Sequence, residues 1–189
     1  MLGKRSGAFA PRLVLVCAML GLLGACSTTM STKSAPDTLS LKEIGIDPGR
    51  QALAFVEVKE KKARGQRVWC VPYARTLSGV ELRGNAGTWW NAAKGVYERG
   101  HEPELGAVMV FSSTKKLPMG HVAVVSDVVS DRELLINHAN WKRNQVSTAM
   151  KVVDVSKAGD WSSVKVESQP GSYGRVYPIS GFVYPTPAG

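Results

Sequence analysis

The sequence predicts an α+β domain, with its helices first and an antiparallel β-sheet after them. Two observations carry this expectation. Helical signals cluster before residue 100, whereas from residue 107 onward short apolar runs with strand-like alternation follow one another between turn residues. No internal repeat competes with that reading, and 189 residues suffice for one domain and a tether but not for a second full domain.

In chain order, an export signal comes first. Lys4, Arg5 and Arg12 precede an apolar run over residues 13–23, and Gly24 and Ala25 lead into Cys26. The run falls short of the roughly 20 residues that span a bilayer. Leu23-Gly24-Ala25-Cys26 resembles the bacterial lipoprotein signal, which implies removal of residues 1–25 and lipidation of Cys26; an ordinary secretory signal or a buried apolar helix is the alternative. Residues 26–44 read as a flexible tether, rich in Ser and Thr and poor in apolar residues. The domain is expected over 45–187, with its core motifs in 68–141.

The three cysteines then have separate fates. Cys17 leaves with the signal and Cys26 is acylated, so Cys70 has no partner for a disulfide. A free thiol in an exported protein is a candidate nucleophile, the alternative being a buried structural cysteine. The formal charge of +9 becomes +6 once the three signal cations are removed, which suits a carboxylate-rich cell wall or an anionic lipid surface, or a solvated face. The export signal and the lack of any nucleic-acid motif disfavour a nucleic-acid partner.

Residues 44–67 are ambiguous: 52–58 fit strand or helix, and 57–67 is a mixed charge run expected in water. A helix is predicted over 70–77, with Pro72 in its first turn and Gly79 as its stop. Thr88 reads as the cap of a second helix to residue 96, and 100–106 as a loop. Strands follow over 107–111, 121–129, 133–138, 150–155, 163–167 and 175–184, the last interrupted by Pro178 and Gly181.

Cys70 thus opens a helix, where the dipole favours thiolate and can bring the pKa into roughly the 3.5–7.5 range of reactive cysteines. Its own backbone amide points to where an oxyanion would form. Such a nucleophile needs a base. Of three histidines, His101 lies in the turn-like Gly100-His101-Glu102-Pro103, whereas His121 starts a rigid apolar strand. If residues 121–129 and 132–140 form a hairpin in which facing residues sum to 261, His121 faces Asn140 with His138 diagonal to it. All three then converge on one face while Asn137 points away. In that triad Cys70 attacks, His121 shuttles the proton, and His138 or Asn140 orients the ring. Trp69, Trp90 and Trp141, with Tyr73 of the nucleophile segment, are candidates to bind substrate; core packing is the alternative for each tryptophan. A zinc site is the chemical rival, but the Cys and His spacings are long, and no metal or cofactor is expected.

Trp69-Cys70-Val71-Pro72-Tyr73-Ala74-Arg75, the segment PELGAVMVF over 103–111, and Gly120-His121-Val122-Ala123-Val124-Val125 together resemble the CHAP family of cysteine- and histidine-dependent amidohydrolases and peptidases. The resemblance implies a papain-like fold and cleavage of peptidoglycan amide bonds, either between sugar and stem peptide or within the peptides. Where that family commonly ends the next strand in Glu-x-Asn, this chain has His138-Ala139-Asn140. The related NlpC-like peptidases use a Cys, His, His set, which supports His138, but their Asp-Cys-Ser-Gly segment is absent here. The expectation is a lipid-anchored cysteine hydrolase of peptidoglycan in the bacterial cell envelope. Ser27 after Cys26 points to the outer membrane, facing the periplasm, and any activator protein is unspecified. The alternatives are a non-catalytic wall-binding lipoprotein with a degenerate CHAP fold and an amidase of a small non-wall amide.

Overall fold

A computed structural model describes residues 46–189. The expected signal peptide, Cys26 and the tether lie outside the described residues.

Three helical segments come first, α1 (Pro48–Ala63), α2 (Cys70–Ser78) and α3 (Trp89–Ala92), the last preceded by a 3-10 turn, Ala86–Thr88. The ambiguous segment is a single helix. Asp47 caps it, its Oδ1 accepting from the N–H groups of Gly49 and Arg50 at 2.6 and 3.0 Å, and Pro48 fits the first turn, where a missing N–H costs nothing. Ala54 and Val58, four apart, face the core, while Lys59 and Glu60 lie in water as the charge run predicts. Helix α2 matches its expected start and stop: Gly79 takes the left-handed conformation at φ 79° and returns its N–H to the carbonyl of Arg75.

The second expected helix is corrected. Thr88 caps nothing; its hydroxyl donates to the carbonyl of Asn85, and the helix ends at Ala92. Residues Tyr97–Gly100, which lie between the expected helix end at residue 96 and the start of the expected loop at Gly100, form strand β1 because β7 offers them a ladder, with Arg99 opposite Val183 and Gly100 opposite Phe182. That pairing is non-local, and nothing in the composition of Tyr-Glu-Arg-Gly announces it.

The remaining strands are β2 (Val108–Phe111), β3 (His121–Ser130), β4 (Glu133–Ala139), β5 (Val146–Asp154), β6 (Ser163–Gln169) and β7 (Ser172–Pro187), all antiparallel in the order β1-β7-β2-β3-β4-β5-β6. Strand β7 also pairs with β6, so β2 to β7 close into a barrel with β1 on its flank. Pro178 and Gly181 do not break β7; they mark its corner. Residues up to Pro178 pair with β6, and those from Ile179 onward pair with β2.

Alternation divides the core into two layers. Val108, Val110, Val122, Val124 and Val183 face outward onto Val68, Tyr73, Ala74 and Leu77 of the helical layer. Their alternates Met109, Phe111, Ala123, Val125 and Phe182 fill the barrel with Leu134, Ile136 and Val164. Strand β2 is therefore buried on both faces, which is why it reads as an unbroken apolar run. The architecture is α+β, with the helices packed against one side of the barrel.

Candidate active site

The start of α2 leaves a particular set of free amides. Trp69 precedes it in extended conformation and caps nothing with its side chain. Pro72 has no N–H, and the N–H of Tyr73 already bonds to the carbonyl of Trp69. The amides of Cys70 and Val71 are left over, and both face the Cys70 sulfur. A third comes from β3. Val125 N–H donates to Ala107 on the β2 side, so alternation turns the amide of Val122 toward β4. The β3–β4 ladder ends at Val124 opposite Asn137, and beyond it the Val122 N–H also faces the thiol. Three backbone donors thus surround the only free cysteine among the described residues.

The helix end does not make Cys70 a preformed thiolate. Burial pushes its thiol up, against the pull of those three amides. The expected depression is corrected accordingly: desolvation of the partly enclosed sulfur outweighs the donors.

His121 lies next to Val122, and its ring meets His138, with Nε2 2.9 Å from His138 Nδ1. The facing sum of 261 holds where it matters, at Val124–Asn137 and Val125–Ile136. It is reached by a different route. The turn is Asp131-Arg132, Ser130 pairs with Glu133, and two irregularities in β3 each absorb one residue before the site. His121 and His138 are 4% and 0% exposed. Burial pushes both imidazoles down, His138 to about 3 and His121 well below its usual range, the latter also repelled by His138. The site therefore rests as neutral thiol and neutral imidazoles near neutral pH.

Trp141 packs on both histidines, at 5.0 and 5.5 Å between centroids, and also on Phe111 and Tyr177. It shields the imidazole pair from water. On its outer side, His138 Nε2 lies 3.2 Å from the Met150 sulfur.

Asn140 has a different place from the one the hairpin argument gave it. It sits at φ 65°, its Oδ1 accepts from the N–H of Asn144 at 2.9 Å and from Arg67 Nε at 3.4 Å, and it makes no hydrogen bond to His121. Asn144 in turn accepts from the N–H of Val68 at 2.8 Å. The pair staples the β4–β5 turn to the segment that carries the nucleophile. Asn137 does point away, its Oδ1 accepting from the N–H of Ala149 at 2.8 Å.

A cleft of about 330 Å³ opens beside Cys70, lined by Trp69, Val71, Pro72, Gly84, Asn85, Ala86, Met119 and Gly120. Of the expected substrate-binding residues, Trp69 lines it and is half exposed, with the Arg67 guanidinium stacked 4.0 Å over its ring. Tyr73 does not line it. It shares the inward stripe of α2 with Ala74 and Leu77, is 2% exposed, and burial pushes its hydroxyl up to about 12. Trp90 packs against Arg99, His101 and Gly181 instead. The 84–86 wall and Met119 went unanticipated, because a loop joins a cleft only through the fold. Gly120 carried a signal: at φ 67° it brings the chain so close that a Cβ would overlap the backbone of Gly87.

No curated protein matches the chain. Residues 61–140 match the family model described as CHAP domain, a span that contains Cys70, His121, His138, Asn140 and every residue lining the cleft. Over those residues this chain is similar to the CHAP domain, whose family comprises papain-like cysteine- and histidine-dependent amidohydrolases and peptidases.

Proposed function

We propose that the protein is a cysteine hydrolase of peptidoglycan amide bonds, with Cys70 as nucleophile, His121 as base and His138 as the group that orients it. The observation that carries this reading is the thiol at the open cleft, ringed by three backbone N–H groups, one of them from Val122, the residue that follows His121 of the buried histidine pair. The CHAP domain match supports amidase or peptidase chemistry and peptidoglycan as the substrate. The papain-like arrangement belongs to the same proposal, and so do a domain over 45–187, removal of residues 1–25 and an outer-membrane lipid anchor on Cys26.

His121 Nε2 is occupied by His138, which leaves Nδ1 for the thiol. The Cys70 sulfur attacks the amide carbon as its proton passes to His121. The carbonyl oxygen becomes an oxyanion, which backbone N–H groups of the kind found around Cys70 stabilise. Collapse breaks the C–N bond, the amine leaves with the proton from His121, and a thioester remains on Cys70. Water then attacks the thioester, giving its proton to His121; the carboxylic acid departs and the thiol is restored. A neutral His138 accepts a hydrogen bond from the His121 cation but contributes no opposing charge, which makes this a weaker support than a carboxylate.

The test is release of soluble fragments from purified cell-wall sacculi, with mass spectrometry identifying the bond cut. Cys70→Ala and His121→Ala should each lower the rate by three or more orders of magnitude, as triad losses roughly do. Release by Cys70→Ala at the parent rate overturns the mechanism. The raised thiol favours one second reading, a wall-binding protein without turnover. Sedimentation with sacculi while Cys70 resists a thiol-directed electrophile would decide for it.

A further inference from the structure

Met150 lies outside the family match and outside the cleft, yet its sulfur closes the far end of the histidine pair. Its position is built rather than incidental. Strand β5 carries one extra residue opposite Asn137, between the pairs Ile136–Met150 and His138–Ser147. Ala149 takes a left-handed φ of 50° there, and Asn137 Oδ1 holds its N–H at 2.8 Å. The irregularity leaves Met150 opposite Ile136 and packed against the barrel interior, the side on which His138 sits.

A thioether sulfur has lone pairs and no hydrogen, so it can only accept. A contact of 3.2 Å to His138 Nε2 therefore requires the proton on that nitrogen. In a neutral imidazole the other nitrogen, Nδ1, is then bare and accepts from His121 Nε2–H across 2.9 Å. His121 in turn has a bare Nδ1, the form able to take a proton from a thiol. The opposite arrangement, with a proton on His138 Nδ1, would leave His121 Nε2 bare and the proton of His121 on its own Nδ1, and would set two lone pairs against each other at the sulfur. We infer that Met150 is a positioning residue that fixes the tautomers of His138 and, through it, of His121, so that the proposed base is held in its proton-accepting form. The inference rests on the proposed role of His121 for its consequence in the reaction, but not for the tautomers themselves.

The experiment is Met150→Leu, which keeps the volume and removes the acceptor. Nitrogen NMR of the full chain labelled in its histidines, near neutral pH, reads which ring nitrogen carries hydrogen, independently of activity. The parent should show Nε2–H on both His121 and His138, and Met150→Leu should show a population with Nδ1–H on His138. On sacculi the variant should lose about five- to tenfold in kcat, the worth of one hydrogen bond, with KM little changed. A proton on His138 Nδ1 in the parent, or a Met150→Leu spectrum identical to it, overturns the inference. The expected spectra with no wall cleavage by the parent would leave the relay standing and remove the hydrolase reading instead.

Discussion

At the scale of single residues, the unusual feature is that every titrating group of the site is held neutral. Burial raises Cys70 and lowers both His121 and His138, so in the proposed mechanism the nucleophile is made when substrate is attacked and not stored as an ion pair. The sign for activity follows. His121 must be unprotonated to accept the thiol proton, and a depressed pKa keeps it so well into mild acid. The acid limb of kcat/KM against pH should therefore fall below 6.5, the ordinary histidine value. An acid limb above 6.5 would contradict the buried neutral pair. His138→Glu places a carboxylate beside His121 and should move that limb to higher pH, because an adjacent negative charge favours the imidazolium. The proposed nucleophile and base are candidates that the chain itself offers, through one unpaired cysteine and one histidine on an apolar strand. The side chains of Tyr73 and Asn140 were not, since one is claimed by the core and the other by a turn.

At the scale of elements, three junctions build the site: the uncapped start of α2, the splayed end of the β3–β4 ladder, and Gly120 against Gly87. The last is the most sensitive. Gly120→Ala forces a side chain into a left-handed residue and into backbone that cannot rotate away. It should cost at least about 2 kcal/mol in urea unfolding. Sacculus cleavage should fall further than stability does, because Gly87 N–H bonds to Met119 in the cleft wall at 2.9 Å. Unfolding midpoints unchanged from the parent would refute the close approach. Most strands were legible from their alternation, and α2 from Gly79 and Pro72. Helix α1 was not legible: its even mixture of apolar and charged residues hid the period, and the cap at Asp47 shows only in the structure. Strand β1 exists only because β7 pairs with it.

For the whole molecule, two nearly inaccessible imidazoles make stability depend on pH. In the unfolded chain each titrates near 6.5, whereas in the fold His138 binds its proton only near 3 and His121 well below 6.5. Depressed folded values mean that this contribution is complete above pH 6.5 and is lost as pH falls toward the folded values. Between pH 6.5 and 5, where carboxylates are still largely ionised, stability should drop by about 1.4 kcal/mol per pH unit for each histidine concerned. His138→Gln should flatten that slope, and urea unfolding at several pH values measures both. The sequence by itself determined the α+β class, the order of helices before strands, the lone thiol and the strand-borne histidine. All of these follow from local pattern, which is printed in the chain. Only the tertiary structure decided that the sheet closes through β7, that two irregularities in β3 bring His138 under His121, and that a bulge in β5 sets Met150 behind it. Register and closure depend on which distant segments meet, and the free energy of such meetings is shared among residues that no local window contains.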